Sequence, residues 1–582
     1  MAGQPVAIPA PESLAPPTAA RLAAVCAAAQ RDGWAPQTAG LRAAAVRAYQ
    51  ADKLAAAEAW LNTARGVALF GEKETSFIPR WLLAVTAAKV GHPNMPLRYT
   101  PRDSPLGFAL SPETQAWLIG DAALAEEFFS LLAPVDYLPN VLSILDELYR
   151  RDPARAQAYA HLVLAIAVVY DVPPPPDWPH GQVGAGALPR KFPSATDAFT
   201  WWVREDQLGR TYHRLARLPA DELKFVVDAA APLAELEWAQ KMADIPLNSL
   251  ARAYTMIRYR ADRLKNERPV WPGRTYRLAD VLRDGGICVD QAYFATEFGK
   301  ARGVPTLFFH GAGNDGRHAW FGFLDSNNKW QLDAGRYAEQ KFVTGFARDP
   351  QTWGELSDHE LQFLAERFRE LPSFRSSQVH AEFAADFLAT GNADAALAAA
   401  RKAVNFERRN EAAWDTLIAA TQVTSRDPKA AESVMREAAL AFARHPDLEA
   451  AYVNRVSASL RARGQTSEAE AEEQHIARKN QGDRSDLSVS QAREILQRAI
   501  ETQPLAGQIR AYNSVVDTYG RGAGVGFYDA IVVSFAGHLA QLHQPAEALH
   551  AIERARHTLK VETNSQLAGE FDRLTKAVKA LK

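Results

Sequence analysis

Cys288 is the residue of this chain whose surroundings point most clearly to chemistry. It is one of two cysteines among 582 residues, and it follows a pair of glycines at the start of a segment with helical spacing. His318 follows 30 residues later, and Asp333 another 15. A thiol, an imidazole and a carboxylate are the groups of a nucleophile, its base and the acid that orients the base. The sequence therefore predicts a Cys-His-Asp catalytic triad.

The local structure predicted around the thiol suits this chemistry. A helix that begins at Ile287 or Cys288 and runs to Ala301 leaves its first backbone N–H groups unpaired beside the sulfur, which favours the thiolate. Gly285 and Gly286 allow a sharp entry into the helix, and the backbone N–H of Cys288 can donate to an oxyanion. The expected target is a carboxamide or peptide carbonyl, and Gly286 is predicted to contact the substrate.

The other two triad residues lie on a predicted β-hairpin. Two runs of strand-like composition flank a predicted four-residue turn, residues 325–328. Antiparallel pairing continued from this turn places Asp333 opposite Trp320 and diagonally across from His318 on the same face. The prediction depends on loop length, because an odd-length loop would put Asp333 and His318 on opposite faces. Trp320 is predicted to contact the substrate.

Four short motifs carry a family resemblance. They are Gly285-Gly286-Ile287-Cys288-Val289-Asp290-Gln291-Ala292, Ala301-Arg302-Gly303-Val304-Pro305, Arg317-His318-Ala319-Trp320 and Trp330-Gln331-Leu332-Asp333. Together they resemble the core of the transglutaminase-like superfamily, which has the papain-like cysteine-enzyme fold. The resemblance implies that Cys288 is the nucleophile, His318 the general base and Asp333 the orienting acid. It does not select a reaction, because the superfamily includes transglutaminases, proteases, peptide N-glycanases and inactive relatives.

Several alternatives stay open on the sequence alone. The thioester formed at Cys288 can be resolved by water, giving a hydrolase, or by an amine, giving a transferase. The transglutaminase-like region can instead be a catalytically inactive module of a scaffold. A third interpretation is arylamine N-acetyltransferase-like acyl transfer, because residues 283–288 are similar to the active-site motif of those enzymes. The second oxyanion donor is open among Tyr254, Trp271 and Tyr276, and no acidic cluster for calcium activation is visible.

The triad is expected to lie in a mainly α protein with a central α+β domain. A chain of this length contains several domains. Pro173–Pro176 excludes helix and central strand, and it predicts either a linker or a rigid wall that presents Trp178 and His180 at the site. The predicted segments are a flexible Pro/Ala-rich lead at 1–17, an N-terminal helical domain at 18–170, a Pro/Gly-rich connection at 171–190, a helical segment at 191–244, a transglutaminase-like domain at 245–350 and a TPR-like helical repeat domain at 355–582.

The C-terminal part contains a weak internal repeat with a period of about 34 residues. Trp414 stands 23 residues after Gly391, where the aromatic residue of the next repeat is expected. The pattern resembles about four degenerate tetratricopeptide repeats, and residues 38–68 look like a similar helical hairpin. The resemblance implies a helical surface that binds a peptide or protein partner, and a purely architectural role is the alternative.

Composition excludes several classes of function. A net charge of −2 gives no electrostatic footprint for nucleic acid or an anionic membrane. Two cysteines cannot form a disulfide framework, and Cys26, in Ala-rich surroundings, is predicted to be inert and buried. No cofactor and no metal ion are expected. No signal peptide or membrane span is visible in the sequence, so cytoplasmic location is the default and export stays open. The expected partners are a peptide or protein substrate and a protein bound to the repeats.

Overall fold

The computed structural model of the protein describes residues 6–88, 101–266, 268–337, 343–480 and 484–581. The fold is mainly helical with a small five-stranded antiparallel sheet, which agrees with the predicted fold class at this level. The strands are β1 (Thr306–Ala312), β2 (Arg317–Leu324), β3 (Trp330–Ala334), β4 (Phe346–Arg348) and β5 (Glu355–Ser357), in the spatial order β3-β2-β1-β4-β5.

Helices fill the chain before the sheet. They are α1 (Ala10–Ser13), α2 (Ala19–Asp32), α3 (Ala35–Gln50), α4 (Leu54–Gly71), α5 (Glu74–Ala87), α6 (Pro112–Gly120), α7 (Ala122–Leu131), α8 (Leu138–Arg151), α9 (Pro153–Ala158), α10 (Ala160–Val169), α11 (Ala195–Gln207), α12 (Ala220–Val227), α13 (Leu233–Met242), α14 (Arg252–Thr255), α15 (Ala261–Lys265), α16 (Leu278–Asp284) and α17 (Cys288–Lys300). Short 3-10 turns lie at Leu106–Ala109 and Leu247–Ser249.

Helices also fill the chain after the sheet. They are α18 (Asp358–Leu364), α19 (Pro372–Ala389), α20 (Ala393–Phe406), α21 (Glu411–Thr424), α22 (Pro428–Ala441), α23 (Pro446–Ala462), α24 (Thr466–Asn480), α25 (Ser485–Thr502), α26 (Leu505–Tyr519), α27 (Gly524–Phe527), α28 (Ser534–Gln541), α29 (Pro545–Thr558) and α30 (Gln566–Lys579). A 3-10 turn lies at Arg367–Glu370, and a π-helix at Tyr528–Val533 joins α27 to α28.

The chain forms two compact units, each built from segments that are not contiguous in sequence. The predicted helical segments at 18–170 and 191–244 fall in the same unit as most of residues 245–350. The first unit comprises Met1–Phe309, Ala319–Gly335 and Ala347–Leu356, and the second comprises His310–His318, Arg336–Phe346 and Ser357–Lys582.

The helical hairpin predicted at residues 38–68 is formed by α3 and α4, which pack against each other. Ala57 and Ala64 are buried on α4, and side chains this small allow the two backbones to approach closely. Trp60 on the same helix is fully buried, and its indole N–H donates to the Ala15 carbonyl at 2.9 Å. The prediction of a flexible lead is therefore wrong for residues 6–17, which fold as part of the first unit.

The proline-rich segment is part of the first unit and not a linker between units. Trp178 and His180 are both buried, so neither side chain is presented to solvent at a site. The Trp178 ring packs edge-on against Phe192 and Trp353, with centroids 5.3 and 5.9 Å away. The Trp178 backbone N–H donates to the Pro175 carbonyl at 3.0 Å, which closes a turn within the proline-rich segment. The segment is thus neither a linker between the units nor a wall that exposes these two side chains.

The β2–β3 hairpin differs from the predicted one in register. Leu324 pairs with Trp330, so the loop has five residues, and Asn328 adopts a positive φ of 55° in it. Further along, Phe321 pairs with Ala334, because a bulge shifts the register by one more residue. The prediction of a four-residue loop with Asp333 opposite Trp320 is wrong.

The second unit contains a run of helices, as the C-terminal periodicity predicted. Consecutive helices from α19 to α26 pack against their neighbours in turn. Gly391, predicted as a repeat position, ends α19 with a positive φ of 77°, and Trp414 is buried on α21. Glycine fits such a helix end because it has no Cβ to clash in the left-handed conformation. Within the described ranges, no helix has both the length and the apolar character needed to cross a bilayer.

Candidate functional site

Cys288 is the first residue of α17, which is one of the two starts, Ile287 or Cys288, that the sequence predicted. The helix is buried along nearly its whole length, so its first turn is fixed relative to the core of the first unit. The thiol itself is partly buried. Backbone N–H groups of Ala319, on β2, and of Val289 point towards the sulfur. The site therefore combines a rigid helix start with donors that can stabilise negative charge on sulfur.

The electrostatic balance at the thiol differs from the expectation. Burial raises the pKa of Cys288 above its ordinary value, and the N–H groups of Ala319 and Val289 oppose that rise without cancelling it. The charge of Asp290 adds a further increase in the pKa. The raised pKa runs against the predicted preference for thiolate. Nucleophilic attack by Cys288 needs a base that removes the proton.

A buried carboxylate fixes the start of the Cys288 helix. Asp290 is fully buried, and its Oδ2 accepts hydrogen bonds from the Ile287 backbone N–H at 2.8 Å and from Arg263 Nη1 at 2.5 Å. Its Oδ1 accepts from the Tyr276 hydroxyl at 2.8 Å. Burial raises the pKa of Asp290, and the Arg263 guanidinium lowers it in opposition. This ion pair supplies the charge compensation that a buried carboxylate requires.

His180 extends this network from the proline-rich segment. Its Nε2 lies 3.1 Å from the Tyr276 hydroxyl oxygen, and its Nδ1 accepts from the Gln182 backbone N–H at 3.3 Å. Because Tyr276 uses its single hydrogen towards Asp290, Nε2 must carry the proton and donate to Tyr276. Burial lowers the pKa of His180 to about 3. The ring is therefore held neutral in one tautomer, behind the start of the Cys288 helix.

Glycine is required at positions 285 and 286, because a Cβ at either position would clash with a neighbouring atom. Gly285 has a positive φ of 74°, and a Cβ there would lie 2.5 Å from the Arg258 carbonyl oxygen. A Cβ on Gly286 would lie 2.2 Å from the Cβ of Asp290. Gly286 also exchanges backbone hydrogen bonds with Arg258 and Arg260, at 2.9 and 2.8 Å. These contacts give Gly286 a structural role, so its predicted contact with substrate has no support in this geometry.

Each side chain proposed as a second oxyanion donor has its polar hydrogen committed elsewhere. Tyr254 donates to the Ala319 carbonyl at 2.8 Å, and Trp271 donates to the Thr275 carbonyl at 2.8 Å. Tyr276 donates to Asp290, as described above. The backbone N–H groups of Ala319 and Val289 are donors that point towards the sulfur. An oxyanion at this site would therefore be stabilised by backbone amides of the α17 start and of β2.

His318 lies on β2 in the second unit. It is 5% exposed, and its ring stacks on Tyr337 with centroids 4.2 Å apart and planes inclined by 25°. Tyr337 follows the end of β3 by three residues, so the structure gives the imidazole an aromatic neighbour there.

Asp333 lies in the first unit at the bulge of β3, and it is exposed. The bulge places it across from Gly322, two positions beyond Trp320 along β2. The geometric argument that made Asp333 the orienting acid is therefore wrong. Trp320 is fully buried and donates its indole N–H to the Leu332 carbonyl at 2.9 Å, so it serves the core here and does not line an open surface.

Asp290 and Arg263, which hold the start of the Cys288 helix, were not predicted from the sequence, and Tyr276 and His180 were predicted in other roles. Asp290 is the third residue of that helix, the position from which an acidic side chain returns to the N-cap backbone N–H, so helix-capping rules could have identified it. Arg263, Tyr276 and His180 carry no such local signal, because their contacts with Asp290 or with one another join distant parts of the chain. Their part in this network is seen only in the folded structure.

No metal centre is visible in the part of the chain that the structure describes, where no group of three or more His, Cys, Asp or Glu side chains could hold an ion. Cys26, the other thiol, is buried as predicted, and burial raises its pKa to about 11. Cys288 is thus the more accessible of the two thiols.

The sequence matches no family model and no curated protein. The likeness to transglutaminase-like and tetratricopeptide families therefore rests on the motifs and the periodicity described above. It stays a prediction.

Proposed function

We propose that the protein is a thiol-dependent acyl-transfer enzyme that acts on peptide or protein amides, with Cys288 as nucleophile and His318 as general base. The observation that carries the proposal is the setting of the Cys288 sulfur. It stands at the start of a buried helix fixed by Asp290 and Arg263, and the Ala319 backbone N–H points towards it. A helix start built this rigidly suits a nucleophile.

The reaction follows from these groups. His318 takes the proton from the thiol, and the sulfur attacks the amide carbonyl carbon. The developing oxyanion is stabilised by backbone N–H groups at the start of α17. The C–N bond breaks as His318 returns the proton to the leaving amine, which leaves a thioester on Cys288. Water or a second amine then attacks the thioester, giving hydrolysis or transfer.

Thiol reactivity tests the proposal directly. In a Cys26→Ala background Cys288 is the remaining thiol, and its rate of alkylation by dilute iodoacetamide near neutral pH is read by intact mass. We expect it to exceed the rate of a model thiol and to fall in His318→Ala, because the resting thiol needs a base. Equal rates with and without His318 would refute the proposed roles. Asp333→Asn in the same assay decides whether the carboxylate contributes.

Substrate assays separate the two outcomes of the thioester. A glutamine-containing protein is incubated with the enzyme and a fluorescent primary amine. Covalent label that is absent with Cys288→Ala indicates transfer, and cleavage or deamidation without label indicates hydrolysis. The wild-type chain and Cys26→Ala serve as matched positive controls, since both retain Cys288.

A second candidate is a scaffold that has lost catalysis. Two observations favour it, namely the raised pKa of Cys288 and the exposed position of Asp333. In this case the helices α19–α26 carry the function as a surface for a protein partner, in the manner of tetratricopeptide arrays. The scaffold predicts a Cys288 thiol no more reactive than a model thiol and a partner retained by Cys288→Ala.

A further inference from the structure

Residues 310–318, the segment that ends at His318, pack against the C-terminal helices. Residues 310–318 belong to the second unit together with α18–α30. Ala312 packs against the apolar cluster formed by the last helices of the chain. The Val525 backbone N–H donates to the Gly313 carbonyl at 3.0 Å, and a Cβ on Gly524 would lie 2.6 Å from that same oxygen. The backbone at Gly313 thus packs closely against the backbone at Gly524 and Val525, which fixes the segment within the helical unit.

Arg317, immediately before His318, is held by two carboxylates. Its Nε donates to Asp529 Oδ2 at 2.9 Å and its Nη2 to Oδ1 at 2.5 Å. Its Nη1 and Nη2 donate to the Glu570 carboxylate at 2.6 and 3.0 Å. These contacts raise the pKa of Arg317 above its ordinary value. Two bidentate pairs on one guanidinium fix its position more strictly than a single exposed ion pair would.

Asp315 makes a second attachment two residues earlier. Its Oδ1 accepts from the Leu567 backbone N–H at 3.0 Å and its Oδ2 from Gln566 at 3.3 Å, both at the first turn of α30. A carboxylate at a helix N-terminus satisfies donors that have no partner within the helix. The segment before His318 is therefore attached to α30 by Asp315 and by Arg317.

The two carboxylates that hold Arg317 are themselves tied together. Asp529 lies in the π-helix, and Glu570 lies on α30. The hydroxyl of Tyr528, next to Asp529, donates to the Glu570 carbonyl at 2.9 Å, and its ring packs against Phe571 at 4.7 Å. π-helical turns are rare and frequently accompany functional sites. Here the π-helical turn places the Asp529 carboxylate close enough to Glu570 for both to bind one guanidinium.

Consecutive residues of a strand point to opposite faces, so Arg317 and His318 leave β2 in opposite directions. The exposure of the two residues agrees, since Arg317 retains 45% side-chain exposure whereas His318 is buried. Fixing the guanidinium on one face thus fixes the backbone from which the imidazole projects on the other. A misplacement of about 1 Å in a catalytic group can cost roughly 100-fold in rate.

We propose that Arg317 is a positioning residue for His318, and that the C-terminal helices, through Asp529 and Glu570, hold the general base in place. This inference rests on the proposed function in assigning His318 as the base. It assigns the last helices of the chain a part in catalysis that the repeat-like pattern alone does not suggest.

The test uses the full-length chain in the Cys26→Ala background and compares Arg317→Gln, Arg317→Lys and Arg556→Gln. Arg556 is the matched control, because it forms an exposed pair with Asp572 on the same helices. We expect Arg317→Gln to lower the His318-dependent alkylation rate of Cys288 by about tenfold or more across the pH profile. Arg317→Lys should recover part of the rate, and Arg556→Gln should stay within about twofold of the wild type.

Hydrogen exchange of residues 310–318, read by mass spectrometry, provides a measurement that does not depend on activity. Loss of the Arg317 contacts should speed exchange of this segment by about tenfold, while α19–α23 keep the wild-type rate. Exchange that is unchanged in Arg317→Gln overturns the inference whatever the thiol does. An alkylation rate unchanged in Arg317→Gln but reduced in His318→Ala overturns the positioning role and leaves the proposed function standing. If His318→Ala has no effect in the Cys26→Ala background with Arg317 intact, the proposed function fails, and the positioning role of Arg317 fails with it.

Discussion

The neutral state of His180 makes the stability of the first unit depend on pH in a defined direction. Burial lowers its pKa to about 3 from an ordinary value of 6.5. The unfolded chain therefore takes up a proton below pH 6.5 while the folded chain does not. The stabilisation is fully present above pH 6.5 and is lost as the pH falls towards 3. From these two pKa values the loss reaches about 5 kcal/mol in total, of which about 2 kcal/mol appears between pH 7.5 and pH 5.

The structural reason is the tautomer. Nδ1 accepts a hydrogen bond from the Gln182 backbone N–H. A proton on Nδ1 would make both groups donors, and the hydrogen bond would be lost. His180→Gln removes the titrating group while keeping a donor near the Tyr276 hydroxyl. At pH 7.5 we expect this variant to be less stable than the wild type by about 1–3 kcal/mol, because Gln182 loses its acceptor. At pH 5 that difference should shrink by about 2 kcal/mol.

The assay is urea unfolding of the full chain at both pH values, followed by tryptophan fluorescence. His550→Gln is the matched control for the substitution, because the side chain of His550 is 75% exposed. Comparing each variant with the wild type at the same pH cancels the titration of all other groups. A stability gap for His180→Gln that stays constant or widens at pH 5 would refute the neutral tautomer and the network that depends on it.

Three further variants test the packing of the first unit. Arg263→Met leaves the buried Asp290 carboxylate without its cation, so it should lower the free energy of unfolding in urea by about 3–5 kcal/mol. Adding Asp290→Asn should recover part of this loss in the double variant. A loss below about 1 kcal/mol contradicts the prediction. Gly286→Ala should lower the free energy of unfolding by about 1–3 kcal/mol, because the new Cβ meets Asp290. Gly120→Ala is the control, because the space around that position is open. Equal unfolding midpoints for the two variants would argue against the close contact. Burial raises the pKa of Asp136 to about 7, so its charged form is disfavoured in the fold. Because Asp136 and Asp171 titrate together, Asp136→Asn should gain about 1–3 kcal/mol on the wild type between pH 5 and pH 8 in the same assay, and no gain is the contrary result.

The helices and the local setting of Cys288 were predictable from the sequence. Periodic apolar residues and the glycine pair placed the start of α17 at Cys288 and the two strands of the hairpin within two residues of their observed ends. These features depend on residues close together in the chain. Local propensity and helix-terminus rules therefore suffice for them.

The register of the hairpin was not predictable, because its turn residues fit four-residue and five-residue loops equally well. The bulge opposite Gly322 is a second shift that no local signal marks, and together the two move Asp333 away from its expected position. The packing of residues 6–17 was missed for a different reason. Their contact with Trp60 joins segments 45 residues apart, and a proline- and alanine-rich composition carries no sign of it.

The attachment of Arg317 to the end of the chain has a consequence during synthesis. Its partners Asp529 and Glu570 lie 212 and 253 residues later. A ribosome that adds about 5–20 residues per second needs roughly 10–50 s to make the stretch from Arg317 to Glu570. Throughout that interval the nascent chain contains Cys288 and His318, but the contacts of Arg317 with Asp529 and Glu570 cannot yet form. Under the proposed function, Cys288 meets a fully positioned base only after α30 has been made.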